Sequence, residues 1–304
     1  LLAAAQEENR AKITSFSLTF TEHISFSSQN SSGVEEQYER TTLHRQHTRG
    51  PKSWIDRQSK TEITGPNGTR TEQFDERVIL AETSLAYWPV NNPVAYLYEF
   101  ESPTKWSKKA RSISCLSNPH NVQLYGFGDR ELSLKQMHDK LLPDGFRVKV
   151  SDPKRNGNGD AYLISITEEQ SPSVLEELLV DPARGYLSTH VKYIDNDKVY
   201  TEIKVTPSEV APGIWFPKIW EEWHYRTEGD QAGAVFNHSK DEITSFVLNP
   251  ILDDSQFSCA ALDLPSRVVV LRTDPAGVFA DMSVENGELV RHGIRDALKK
   301  LDSP

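Results

Sequence analysis

The stretch that decides the fold is residues 15–28, SFSLTFTEHISFSS, in which apolar and polar side chains alternate with a period of two. The apolar parity carries Phe16, Leu18, Phe20, Ile24 and Phe26, and the other parity carries only serine, threonine and histidine. Strict alternation of this kind predicts a half-buried β-strand. At about 3.3 Å per residue the strand would span roughly 45 Å, much longer than a strand of a compact sandwich. The stretch therefore predicts a broad, curved sheet.

Patterning in the rest of the chain predicts two series of strands and a few helices. Residues 1–12 are rich in alanine, glutamate and glutamine and contain neither glycine nor proline, so we expect a helix there. Further helices are expected at residues 133–142, 173–179 and 293–301. Strands are expected at residues 35–49, 54–64, 69–75, 77–84, 146–150, 162–167, 186–194, 199–205, 215–226, 241–248 and 267–272, with a late hairpin at Asn286-Gly287. Because strands and helices do not alternate strictly, an antiparallel sheet is expected rather than a parallel one.

Composition excludes two classes of function. The chain has 304 residues, 37% of them hydrophobic, which is enough to bury a sizeable core. Its formal net charge of -10 argues against a nucleic-acid-binding protein, because neutralising phosphates needs an excess of lysine and arginine. Mean hydropathy is -0.56, and no apolar run approaches the roughly 20 residues that cross a bilayer, so no transmembrane segment is expected.

The two cysteines, Cys115 and Cys259, lie too far apart in sequence for a zinc-ligand pair. They form one disulfide in an oxidising compartment, or they are two buried thiols. The chain begins at leucine rather than methionine, which we interpret as a trimmed chain or a mature form without its targeting segment.

No established catalytic or cofactor motif occurs in the sequence: it lacks G-x-S-x-G, a P-loop, H-E-x-x-H and G-x-G-x-x-G. His44 and His47 form an H-x-x-H pair, but on a strand they point to opposite faces, which favours surface or rim histidines over a metal site. Residues 156–160, NGNGD, resemble the start of a calcium loop, but Ala161 and Thr167 occupy positions that such a loop needs for glycine and glutamate. We therefore expect a hairpin turn there, and no catalytic residue, metal or cofactor is assigned.

Glu22 interrupts the apolar parity of the long strand between Phe20 and Ile24. A carboxylate on an inward face needs a partner, water in a cavity or a shifted pKa. Pairing with an arginine or a hydroxyl is one interpretation, and a place at a ligand cavity is the other. The sequence identifies no second inward carboxylate for a catalytic dyad.

Residues 213–225 carry aromatic and aliphatic side chains on both parities. Ile219, Trp223 and Tyr225 fall on one parity, and Phe216 and Trp220 fall on the other. A strand that is apolar on both sides is usually covered on both sides. Core packing explains this pattern, and the lining of an apolar ligand cavity is the alternative.

Several segments together resemble a known family. They are the N-terminal helix running through ITSF into the strand that ends FTE at residue 22, DPARGYL at residues 181–187, VAPGIWFP at 210–217, NPILDDSQF at 249–257 and PAGVFAD at 275–281. In these segments the chain resembles the LolA-like outer-membrane lipoprotein carriers, including larger uncharacterised exported bacterial members.

The resemblance implies a mainly β (α+β) fold, a curved antiparallel unclosed β-barrel, or half-barrel, wrapped around a few helices. Residues 1–281 would form the half-barrel domain, with a helical or loop insertion near residues 101–145, and residues 282–304 a C-terminal hairpin and helix packed on it. The chain departs from a minimal carrier in its extra sequence at residues 106–128 and 258–273. The inner arginine of the carriers has no matching motif here.

The resemblance also implies a function: a non-enzymatic, periplasmic or otherwise exported cell-envelope protein without a cofactor. Its expected partner is an apolar ligand, a lipid or lipoprotein acyl chain, bound in the concave face. The alternatives are an envelope sensor or scaffold that binds a protein partner, and a hydrolase with unrecognised polar residues. The residues expected to line the cavity are Phe16, Leu18, Phe20, Glu22, Ile24, Phe26, Trp215, Phe216, Trp220 and Trp223.

Overall fold

The computed structural model describes residues 2–29, 32–50, 52–81, 84–90, 92–99, 145–151, 160–170, 173–265, 268–274, 277–285 and 288–291. The helices expected at residues 133–142 and 293–301, nearly all of the insertion near residues 101–145, and Cys115 lie outside these ranges. The division of the chain at residue 281 stays a prediction.

The described elements are one α-helix, sixteen strands and three short 3-10 helices. The α-helix is α1 (Leu2–Ala11), and the 3-10 helices are Pro182–Arg184, Asp254–Phe257 and Cys259–Leu262. The strands are β1 (Ser15–Gln29), β2 (Glu35–Arg49), β3 (Lys52–Gly65), β4 (Gly68–Leu80), β5 (Ser84–Pro89), β6 (Val94–Glu99), β7 (Phe146–Ser151), β8 (Tyr162–Glu168), β9 (Val174–Asp181), β10 (Leu187–Asp195), β11 (Lys198–Ala211), β12 (Ile214–Tyr225), β13 (Val235–Leu248), β14 (Val269–Asp274), β15 (Gly277–Glu285) and β16 (Glu288–Arg291). Among the described residues, no helix has the length and apolar content that crossing a bilayer requires.

All sixteen strands belong to one sheet, in the order β16-β15-β14-β6-β5-β4-β3-β2-β1-β13-β12-β11-β10-β9-β8-β7. The predicted long strand, β1, lies near the middle and pairs with β2 along its whole length. Every described pair of neighbours is antiparallel except β14 and β6, which are parallel. The end strands β16 and β7 do not pair with each other, so the sheet is unclosed. The fold is thus the mainly β, antiparallel-dominated half-barrel sheet that the sequence predicts.

The two faces of the sheet are covered by different parts of the chain. We call the face that carries Phe20 the Phe20 face, and the opposite one the Trp54 face. On the Trp54 face, residues 250–265 cross the sheet: the Trp54 indole donates a hydrogen bond to the carbonyl of Ala261 at 3.1 Å. Leu262 is buried there in a core cluster with Ile79.

Helix α1 lies on the Phe20 face, over the other half of the sheet. Leu2 packs against the core cluster of β8, β9 and β10 that contains Val191. The pairing register places Val191 in a row with Ile203, and that row continues to Ile24 of β1. The apolar parity of β1 and the helix therefore share one face.

Three expectations are corrected by the structure. Residues 69–75 and 77–84 do not form two strands, because β4 runs without a break through Glu76, whose carboxylate pairs with Arg57 on β3. Residues 173–179 form strand β9 rather than a helix, since pairing with β8 and β10 outweighs the helix propensity of its leucines and glutamates. His44 is not a surface or rim histidine, because it is only 2% exposed.

Cys259 is a free thiol that packs against the core cluster on the Trp54 face. Burial raises its pKa to about 11, so the thiolate is scarce near neutral pH. Of the two alternatives for the cysteines, one disulfide or two buried thiols, the free thiol of Cys259 disagrees with the disulfide.

Candidate functional site

Five of the ten residues predicted to line a cavity form one packed cluster on the Phe20 face. They are Phe16, Leu18, Phe20, Phe216 and Trp220, and Ile243 of β13 is buried with them. The ring of Phe20 lies 5.8 Å from that of Trp220, and the ring of Phe16 lies 5.8 Å from that of Phe216. The cluster forms because β12 reaches β1 through β13, which brings the two aromatic stretches of the sequence together.

Ile24 and Phe26 extend the same face toward the far end of β1, where both are only half-buried. The ring of Phe26 stacks on Tyr38 of β2 at 4.6 Å. The apolar row of β1 therefore begins in a sealed core and ends at a partly open surface.

Trp215 and Trp223 do not join this face, which corrects the predicted lining. Trp223 is three residues from Trp220, and Trp215 directly precedes Phe216, so the pleat of β12 directs both to the opposite side. There the ring of Trp223 stacks on His238 at 5.2 Å.

Glu22, the remaining predicted residue, has charged neighbours on the Phe20 face. Its carboxylate lies 3.5 Å from the guanidinium of Arg40 and 3.5 Å from the imidazole of His44. His44 also stacks on the ring of Phe20 at 4.1 Å, and burial lowers its pKa. One interpretation of Glu22, a carboxylate paired with an arginine, agrees with these contacts.

A second inward carboxylate, which sequence reasoning missed, lies directly across from Glu22. Asp241 of β13 is its cross-strand partner and is only 2% exposed. Burial raises the pKa of Asp241 to about 9, and the nearby charge of Glu22 adds to the effect. Oδ1 of Asp241 has no hydrogen-bond partner within the described residues. The only signal in the sequence was that Asp241 begins a predicted strand, whose pairing with β1 could not be inferred.

Glu22, His44 and Asp241 form a polar cluster beside the ring of Phe20. At neutral pH a protonated Asp241 supplies a hydrogen-bond donor and the carboxyl oxygens of Glu22 supply acceptors, which suits a polar group at the end of an apolar ligand. The described residues contain no group of three or more side chains that could hold a metal ion.

An open groove of about 850 Å³ lies at one end of strands β7 to β13. Its aromatic lining residues are Phe146, Tyr193, Tyr200, His224, Tyr225 and Phe236. Its acidic lining residues are Glu168, Glu176 and Asp195, and its basic one is Arg226. Phe26 and Glu176 lie in one row of successive cross-strand partners, which runs through Asn237, His224, Thr201 and Tyr193. The groove thus lies on the Phe20 face, at the end where that face opens.

Glu176 is the least expected member of the groove. Its side chain is 0% exposed, and neither carboxyl oxygen has a hydrogen-bond partner within the described residues. Burial raises its pKa to about 9. Sequence reasoning missed Glu176 because residues 173–179 were expected to form a helix. The period-two alternation that places its carboxyl on a buried face holds only in a strand.

No protein-family model matches the chain, and no curated protein matches it. Among solved structures, the chain is similar to a DUF1329 family protein from Desulfovibrio piger, with 13% identity, 86% of this chain and 96% of that chain covered, and a TM-score of 0.39. It is similar to a LolA superfamily protein from Nitrosomonas europaea, with 12% identity, 84% and 96% covered, and a TM-score of 0.38. A third is a putative outer membrane lipoprotein-sorting protein domain from Vibrio parahaemolyticus, with 9% identity, 86% and 98% covered, and a TM-score of 0.35.

Proposed function

We propose that the protein is a non-enzymatic, exported cell-envelope protein that binds an apolar ligand, a lipid or a lipoprotein acyl chain, on the Phe20 face. The observation that carries this proposal is the aromatic row of β1, which continues from the sealed cluster around Phe20 to the half-buried Ile24 and Phe26. The row ends beside the groove of about 850 Å³.

The energy of burying an acyl chain is sufficient for useful affinity. Each buried methylene contributes about 0.8 kcal/mol, so roughly twelve methylenes offset the cost of association and leave micromolar binding. Because the driving force is apolar, we expect the affinity to change little with salt, despite the net charge of -10.

The polar cluster of Glu22, His44 and Asp241 supports ligand binding rather than hydrolysis. A hydrolase needs an activated nucleophile hydrogen-bonded to its base, and within the described residues neither ring nitrogen of His44 has a hydrogen-bond partner. The hydroxyl of Thr42, the cross-strand partner of Glu22, bonds to Ser59 at 3.0 Å instead. The second candidate function is an envelope sensor or scaffold, in which the same face binds a protein partner.

Titration with a fluorescent fatty acid tests the proposal. We expect saturable binding at tens of micromolar and at least about tenfold weaker binding by Phe26→Asp, because a carboxylate at the open end of the row opposes burial of a methylene chain. Ser25→Asp is the matched control, since Ser25 is the neighbouring residue on the opposite face, and it should bind like the wild type. Absence of saturable binding by the wild type would contradict the proposal and favour the sensor or scaffold.

A further inference from the structure

We infer that the groove at the end of β7 to β13 binds an organic cation, an alkylammonium or quaternary ammonium group, with Glu176 as its counter-ion. This inference goes beyond the proposed function, because it assigns a different ligand chemistry to residues outside the aromatic row of β1.

The walls of the groove suit a diffuse cation. Six of the residues that line it are aromatic, and the ring faces of tyrosine and phenylalanine attract ammonium and guanidinium groups. The groove already shows this contact: the guanidinium of Arg226 lies 6.0 Å from the centroid of the Phe236 ring. The hydroxyl of another of the six, Tyr225, donates to Glu202 at 2.8 Å.

Glu176 is a buried carboxyl group for which a bound cation would supply the partner. Buried carboxyl groups normally have hydrogen-bond partners, and neither oxygen of Glu176 has one within the described residues. A carboxyl that is fully buried in the lining of an open groove, without a donor, is the feature expected where a ligand supplies the donor or the charge.

The charges of the groove favour a cation over an anion. Its lining residues include three with carboxyl groups, Glu168, Glu176 and Asp195, and one with a guanidinium, Arg226. With Glu176 ionised the lining carries an excess of negative charge, which repels the carboxylate of a fatty acid and attracts an ammonium group.

Binding of the cation releases one proton. In the free protein Glu176 keeps its proton at neutral pH, because burial raises its pKa to about 9. When the cation arrives, the carboxyl loses this proton to solvent and the cation becomes its counter-ion. The other ionisable groups that line the groove are Glu168, Tyr193, Asp195, Tyr200, His224, Tyr225 and Arg226. Since one proton leaves per ligand, the association constant should rise about tenfold between pH 7 and pH 8.

Isothermal titration of the full chain with hexyltrimethylammonium tests the inference. We expect saturable binding, the stated rise with pH, and an enthalpy that differs between buffers of different ionisation enthalpy by the heat of one proton. Glu176→Gln keeps the shape and the neutral state of the side chain, so it should fold normally. This variant should bind the cation at least about tenfold more weakly and without pH dependence.

Glu177→Gln is the matched control, because it removes the same charge from the adjacent residue on the opposite face. It should bind like the wild type. A second variant, Tyr200→Leu, changes a wall residue that is 40% exposed and should weaken binding by about tenfold through the lost ring.

Two results would overturn the inference: equal affinity of the wild type and Glu176→Gln for the cation, or stronger binding of hexanoate than of the cation. Fatty-acid titration of Glu176→Gln separates this inference from the proposed function. If Glu176→Gln loses cation binding but still binds the fatty acid, both the inference and the proposed function are supported. If the wild type binds the cation but not the fatty acid, only the proposed function is contradicted.

Discussion

At the scale of single residues, Phe20 joins the apolar cluster of the sheet to its polar cluster. Its side chain is 0% exposed, and its ring contacts both the indole of Trp220 and the imidazole of His44. The stacked ring shields the imidazole of His44 from water, which is why burial lowers the pKa of that histidine. One phenylalanine thus supports both the core and the electrostatics of the candidate site.

Truncating this ring should therefore be costly. We expect Phe20→Ala to lower the free energy of unfolding by about 3–5 kcal/mol, because it removes a fully buried aromatic side chain and leaves a cavity. Thr21→Ala, at the next residue and on the opposite face, should cost less than about 1 kcal/mol. Urea unfolding of both variants measures the difference, and equal stabilities would contradict the assigned face of β1.

Sequence reasoning predicted the face of each residue in β1 better than it predicted their partners. The period of two placed Phe16, Leu18, Phe20 and Glu22 on one face, and all four are buried there. Asp241 was missed because pairing between strands distant in sequence is not encoded in either strand alone. The spacing of Trp220 and Trp223 likewise predicted that they lie on opposite faces of the sheet. Which of them shares the face of Phe20 depends on the pairing of β12 with β13 and β1, which the sequence of β12 does not reveal.

At the scale of elements, Asn249 fastens the start of β1 to the end of β13. Its side-chain oxygen accepts hydrogen bonds from the backbone N–H groups of Thr14 and Ser15, and its amide donates to the carbonyl of Lys12 at 2.9 Å. Its backbone has a φ of 49°, in the left-handed region that asparagine tolerates better than most residues. The residue thus fixes the turn between α1 and β1 as well as the departure of the chain from β13.

Replacing Asn249 should separate these two roles. We expect Asn249→Ala to lower the free energy of unfolding by about 2–3 kcal/mol, because it loses the hydrogen bonds and strains the backbone. Asn249→Gly loses the same bonds without the strain, so it should be about 1 kcal/mol more stable than the alanine variant. Thermal or urea unfolding measures both, and a glycine variant less stable than the alanine variant would contradict the role of the positive φ.

Strands β1 and β2 were predicted to within a residue, whereas β11, expected at residues 199–205, continues to Ala211. Elements whose local preference opposes their pairing were not predicted. The strand expected at residues 35–49 is β2 as observed. Strand β9 has the composition of a helix, LEELL, and only its position between β8 and β10 makes it a strand. The parallel contact of β14 with β6 likewise pairs strands that are distant in sequence, which no local pattern reveals.

At the scale of the whole molecule, the sheet buries two carboxyl groups that keep their protons at neutral pH. Glu176 and Asp241 lie on the same face in different strands, and burial raises the pKa of each to about 9. In the unfolded chain the same groups ionise near 4.5 and 3.8. Between these limits the folded state holds more protons than the unfolded state, so the free energy of unfolding falls as the pH rises.

This linkage predicts a protein that loses stability on the mildly alkaline side of neutrality. His44 and His47, whose pKa values are lowered by burial, oppose the trend only where the unfolded histidines take up protons, at and below about 6.5. From pH 7 to pH 8.5 we therefore expect the free energy of unfolding to fall by about 1–2 kcal/mol per pH unit. Urea unfolding across this range measures the slope, which Glu177→Gln should retain and the double variant Glu176→Gln with Asp241→Asn should largely abolish. A wild-type stability that is constant from pH 7 to pH 8.5 would mean that neither carboxyl holds its proton in the folded sheet.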